Sequence, residues 1–184
     1  MAAAGPAGCG PARFTVGTSP FPADTPVFLD ESGTPRSDLP RDPEPTRLLF
    51  LDFPWCPPCD GMWEEIRSAA SQAPSGSLKI YRILFDRERL FPGREPVEVP
   101  PRVPIPPRTP FPVDSAGREI PVATWTAIPG AFRDRFRVSR VPVLLLLDDA
   151  GAVTARWTGT SPGLAASLGE AIRKPPATAP SAER

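Results

Sequence analysis

The 184 residues carry 21 acidic and 21 basic side chains and no histidine. Zero formal charge argues against a basic face for nucleic acid or a polybasic membrane patch, and the missing imidazole excludes His-ligated metals, Ser-His-Asp triads and Cys-His catalysis within the chain. Proline, at 29 residues, is about three times as common as usual, which disfavours a helical bundle and assigns much of the chain to loops, caps and strand edges.

Residues 1–20 are small and Gly/Pro-rich and are expected to form a disordered tail. Residues 1–12 (MAAAGPAGCGPA) lack the charged start and apolar stretch of a secretory signal. Cys9 reads as incidental, because Pro6 stands where a lipoprotein processing site prefers a large aliphatic residue. A cytoplasmic location is the default expectation, and an extracytoplasmic one if the start codon lies upstream. No apolar run approaches the ~18 residues of a membrane span.

Pro26, Val27, Phe28, Leu29 and Asp30, followed by Glu31-Ser32-Gly33-Thr34, predict a short strand closing in a turn. Four prolines make residues 35–46 a connector. Residues 47–53 (RLLFLDF) form a continuous apolar run of strand length, the pattern of a strand covered on both faces. A helix follows Pro54-Trp55-Cys56-Pro57-Pro58-Cys59 to about Gln72, with Met62, Trp63, Ile66, Ala69 and Ala70 on one apolar face. Residues 78–85 (LKIYRILF) read as a second strand, giving a βαβ unit with parallel strands and a right-handed crossover.

Nine prolines among residues 92–112 leave no regular ladder, and order is expected to return by Val122. Pro129 can open a helix to about Val138 that buries Phe132 and Phe136. Residues 143–147 are the most apolar strand, turned by Asp148-Asp149-Ala150-Gly151 into an antiparallel neighbour at 153–157. Ser161 is expected to cap a last helix with Pro162 in its first turn and Leu164, Leu168 and Ile172 on one face. The tail at 175–184 is expected to fray.

A thiol attacks as thiolate, and a helix N-terminus stabilises that charge. Cys56 falls at the cap position and Cys59 one turn further in, so the sulfurs can meet without moving the backbone. Cys56 is the expected nucleophile and Cys59 the resolving thiol. Pro57 suits the first helical position, whereas Pro58 removes one more N–H that could face the sulfur. The expectation is a modestly lowered Cys56 pKa and a reducing rather than strongly oxidising pair. Zinc lacks the four ligands it needs, so no metal is assigned. Trp55 and Trp63 read as packing or surface residues.

Trp55-Cys56-Pro57-Pro58-Cys59 at a strand–helix junction resembles the active site of TlpA-like thiol-disulfide oxidoreductases in the thioredoxin superfamily. Residues 136–144 (FRVSRVPVL) resemble the segment carrying that superfamily's cis-proline, Asp148-Asp149-Ala150-Gly151 and Gly159 its terminal hairpin, and residues 28–33 (FLDESG) the added N-terminal hairpin of TlpA-like proteins. The resemblance implies an α/β, thioredoxin-like domain over residues 21–174, with a central mixed β-sheet flanked by helices. It also implies a cis Pro142, with Trp55, Val141 and Pro142 meeting the substrate. The working group would be the Cys56–Cys59 disulfide itself, with no separate cofactor. Partners would be protein disulfides or dithiols and an upstream redox protein, met by a monomer.

Two departures from the family stand out. Thioredoxins place a buried aspartate six residues before the first active-site cysteine, where this chain has Phe50; Asp52, Asp60 or Glu64 could substitute, but each reads more simply as a solvated surface residue. A Pro-rich insertion at about 87–123 follows the second strand, so it should emerge on the sheet edge that carries Cys56 and form a rim there; a surface decoration or a polyproline ligand fits the residues equally. Two other functions remain open, a non-enzymatic thioredoxin-like binding module using the insertion or the Pro142 groove, and a peroxide-reducing relative.

Overall fold

The computed structural model describes residues 16–21, 25–40, 46–53, 56–84, 108–128 and 141–173. Cys9, Trp55, the proposed helix at 129–138, most of the Pro-rich run and the tail after residue 173 lie outside them. The strands are β1 (Phe28–Leu29), β2 (Pro35–Arg36), β3 (Thr46–Asp52), β4 (Leu78–Leu84), β5 (Val122–Ala127), β6 (Val143–Leu147) and β7 (Val153–Thr158). The helices are α1 (Pro57–Ala70) and α2 (Leu164–Arg173).

The strands form one mixed sheet in the order β2-β1-β5-β4-β3-β6-β7. β3 runs parallel to β4 and antiparallel to β6, with Leu49 opposite both Tyr81 and Leu145. Strand alternation sorts the apolar run of β3 into two layers. Leu48 and Phe50 join α1, α2, Leu144 and Leu146 on one face. Leu49 and Leu51 join Tyr81, Ile83, Trp125, Val143 and Leu145 on the other. Burial on both faces is why the central strands read as unbroken apolar runs.

The N-terminal hairpin forms, and its turn is organised by one carboxylate. Asp30 accepts the N–H groups of Ser32 and Thr34 and the Arg36 side chain, while Gly33 takes the left-handed conformation at φ +82°. The hairpin extends the connector expectation slightly: Pro35 lies in β2, at the sheet edge where a missing donor is tolerated.

Three further differences have local causes. Residues 16–20, expected to belong to the disordered tail, are tied to the sheet: Gly17 donates to the Val153 carbonyl at 2.7 Å and the Val153 N–H donates to the Thr18 carbonyl at 3.0 Å. The final helix starts at Leu164 rather than at Pro162, because Gly163 has φ +82° and no helix passes through that conformation. Its first turn is capped instead from α1, where the Glu65 carboxylate accepts the Ala165 N–H at 2.9 Å. The third concerns the insertion.

Residues 108–121 are not a decoration. β5 is parallel to β4, so the chain must recross the sheet between them. The described part of that crossing, residues 108–121, is a strap lying against α1 and the start of β4. Trp63 Nε1 donates to the Pro110 carbonyl, Ser115 N–H to the Ala73 carbonyl, and Ile80 N–H to the Pro121 carbonyl. The strap's turn is built on Asp114, which accepts the Ser75 hydroxyl and the backbone N–H groups of Ala116 and Arg118.

The Ser75 hydroxyl, and after it the Arg118 N–H, hold the Asp114 carboxyl far below the usual carboxylate range. A depressed folded-state pKa contributes stability above the unfolded value of about 4, and that stability is lost as pH falls below it. Urea unfolding should therefore show wild type more stable than Asp114→Asn at pH 7, with the gap narrowing from about pH 4 downward. A gap independent of pH would contradict this.

Candidate functional site

Parallel β3 and β4 end on one edge of the sheet, and antiparallel β6 begins there. The topology thus gathers the segment after β3, the chain leaving β4 and the Val141–Pro142 bend. The expectation that Cys56 and Pro142 share an edge is met.

Cys56 is the N-cap of α1, with extended backbone at φ −106° and ψ 98°, and Pro57 and Pro58 occupy the first two helical positions. Its carbonyl accepts the Cys59 N–H at 2.8 Å and the Asp60 N–H at 3.2 Å. Its sulfur accepts the Cys59 N–H at 3.2 Å. The two prolines have no N–H to offer, so the first turn presents the sulfur with the Cys59 amide. Cys56 and Cys59 are joined in a disulfide with their Cα atoms 5.1 Å apart. Cys56 keeps 8% of its surface and Cys59 none, so the order of exposure is the one expected.

The Val141–Pro142 bond is cis, as is Thr109–Pro110, which nothing in the sequence singled out. Val141 packs against the cluster that contains both cysteines. The Pro142 carbonyl accepts the Gly159 N–H at 2.9 Å, tying the bend to the end of β7. The next residue, Thr160, closes on α1: a Cβ added to Gly61 would lie 3.3 Å from its methyl group. Among the described residues, Cys56, Gly61, Val141, Pro142 and Gly159-Thr160 therefore lie together along this edge. Trp55, the remaining predicted contact residue, lies outside the described residues.

The reading of Asp52 as a solvated surface residue is corrected. Asp52 is fully buried at the end of β3. Oδ2 accepts Arg82 Nε at 2.6 Å and Arg108 Nε at 2.7 Å, and Oδ1 accepts Arg108 Nη2 at 2.6 Å and the Phe53 N–H at 2.8 Å. Arg108 also binds Asp60, which is exposed as expected, and Glu64 is exposed and paired with Arg67. Burial draws the Arg82 guanidinium below its ordinary pKa against the opposing pull of Asp52. For Arg108 burial acts the same way, but the hydrogen bonds to Asp52 and Asp60 outweigh it and the pKa rises.

Sequence reasoning missed this cluster, although strand alternation carried a signal for it. Leu48, Phe50 and Asp52 point to one face of β3, and Ile80 and Arg82 to the same face of β4. Phe50, standing where thioredoxins have their aspartate, stacks on Trp63 at 5.9 Å, and the Arg108 guanidinium lies 5.8 Å from the Phe50 ring centre. Trp63 is thus a packing residue of the site's floor.

Solved structures share the fold of this chain. A putative thiol:disulfide interchange protein DsbE from Chlorobium tepidum aligns with TM-score 0.51 at 16% identity, covering 86% of this chain and 97% of that one. An uncharacterized thioredoxin-like protein from Porphyromonas gingivalis aligns with TM-score 0.54 at 15% identity, over 85% and 91%. The thioredoxin domain of a thiol-disulfide oxidoreductase from Bacteroides vulgatus gives 0.52 at 13%, over 87% and 96%. The chain has the thioredoxin-like fold. No family model and no curated protein sequence matches it. Among the described residues of this thioredoxin-like chain, no helix is long and apolar enough to cross a membrane.

Within this thioredoxin-like core, Asp52→Asn would remove the buried carboxylate that the Arg82 and Arg108 guanidiniums both meet. Breaking a buried ion pair costs about 3–5 kcal/mol. Denaturant unfolding of the variant should show a loss of that order, and a loss under about 1 kcal/mol would contradict the pairing.

Proposed function

We propose that the chain is a TlpA-like thiol-disulfide oxidoreductase that reduces disulfides in protein partners, with Cys56 as nucleophile and Cys59 as resolving thiol. The observation that carries this reading is the Cys56–Cys59 disulfide at the amino end of α1, with the Cys59 N–H on the Cys56 sulfur. A helix N-terminus favours a negatively charged sulfur, and only the thiolate attacks.

The exchange follows from the two positions. The Cys56 thiolate attacks one sulfur of a substrate disulfide; a Cys56–substrate bond forms as the substrate S–S bond breaks, and the departing thiolate takes a proton from water. Cys59, deprotonated, then attacks Cys56, closing the intramolecular disulfide and releasing the second substrate thiol. Two electrons pass to the substrate, and a separate dithiol donor must return the pair to its reduced form. Val141 would offer backbone hydrogen bonds to the substrate chain beside Pro142, and Trp55 would flank it.

Asp52 is poorly suited to accept the proton of Cys59, because four donors already fill its lone-pair sites. With Pro57 and Pro58 removing donors from the first turn, activation of Cys56 is modest and the pair is reducing.

Dithiothreitol-driven insulin reduction tests the reading. Wild type should accelerate insulin precipitation, Cys56→Ser should abolish that acceleration, and Cys59→Ser should accumulate a mixed disulfide with insulin. Turnover that survives Cys56→Ser contradicts the mechanism and favours a binding module. Equilibration with glutathione should place the potential well below the value of about −120 mV typical of a strong oxidant, and a result near it contradicts the reductant assignment.

A further inference from the structure

Arg108 joins three parts of the molecule. It comes from the strap, it binds Asp52 at the end of β3, and it binds Asp60 in the first turn of α1. Asp60 directly follows Cys59, and its N–H donates to the Cys56 carbonyl, so its carboxylate belongs to the same helical turn as the reactive sulfur. Phe50, over which Arg108 lies, shares a cluster with both cysteines.

We propose that Arg108 is a positioning residue for thiol-disulfide exchange, neutralising the two carboxylates whose charge would otherwise oppose a negative sulfur on Cys56. The inference deepens the redox reading above and rests on it. Asp52, Asp60, Arg82 and Arg108 together sum to zero charge, and without Arg108 the same group carries one net negative charge. A charge several ångströms from a partly buried site is worth about one pK unit or more at the effective dielectric of a protein.

Among the described residues, the other acidic groups of α1 are engaged elsewhere. Glu64 pairs with Arg67, and Glu65 turns to the Ala165 N–H of α2. The loop that closes on α1 from β7 contributes the uncharged Gly159 and Thr160. From the other elements described around α1, β3 supplies Asp52, β4 supplies Arg82, and the strap supplies Arg108. Among the described residues, Arg108 is the cation that touches both carboxylates.

The strap gives its Pro110 carbonyl to Trp63 and places one guanidinium between β3 and α1.

The test is the pH dependence of iodoacetamide alkylation at Cys56, followed by peptide mass spectrometry on the reduced full chain. Arg108→Ala should raise the midpoint by about one pH unit, and Arg108→Lys should recover most of the shift. In an Asp60→Asn background the group with Arg108→Ala again sums to zero, so the double variant should return close to the wild-type midpoint, which a purely structural role would not produce. A folded Arg108→Ala protein whose midpoint stays within about 0.2 unit of wild type overturns the proposal. Should Arg108→Ala fail to fold, Asp60→Asn alone decides: a midpoint a few tenths lower supports the charge account, and an unchanged one overturns it. Insulin turnover by wild type with an Arg108-insensitive midpoint removes this inference alone; absence of wild-type turnover removes the redox reading with it.

Discussion

The sulfur of Cys56 sits where a helix begins, and among the described residues one N–H, that of Cys59, reaches it. An ordinary first turn offers several free N–H groups, but here prolines fill the first two positions and Cys59 supplies the N–H on the sulfur. The rest of the site follows from that scarcity. Stabilisation of a thiolate must come from one amide, from the helix dipole, and from whatever charge the surroundings supply. The same two prolines pre-set the backbone for the helix, so the pair meets without rearrangement.

The surroundings are set by the sheet. Because β3 and β4 are parallel and β6 opposes them, one edge collects the dithiol, the chain leaving β4 and the Val141–Pro142 bend. The return crossing to β5 then decides what covers α1. A strap with three prolines among residues 107–112 cannot make regular helix, so its backbone seeks partners on α1, and Arg108 seeks carboxylates. A buried aspartate between two arginines is tolerated because each of its oxygens is met twice. The fold and the local electrostatics are therefore linked through one segment that has no regular secondary structure of its own.

Much of this was legible in the residues. The apolar run through Leu51, the helix face of Met62, Trp63 and Ile66, and the hairpin around Gly151 all carried their periodicities openly. The position of Cys56 as a cap followed from the strand before it and the prolines after it. Three features were hidden for physical reasons. β5 (VATWTA) is polar on alternate positions and short, so it gave no buried-strand signal, although Trp125 is core. The strap's contacts are long-range, and proline density conceals order when partners lie more than forty residues away. Asp52 read as a surface carboxylate because nothing local announces two arginines arriving from β4 and from the strap.

The central claim is that the helix end singles out one sulfur of the pair. Limiting iodoacetamide at pH 7 on the reduced protein, with the labelled peptides resolved by mass spectrometry, tests it most directly. The account predicts that Cys56 is alkylated first and Cys59 stays largely unlabelled. Equal labelling, or Cys59 reacting first, would contradict it.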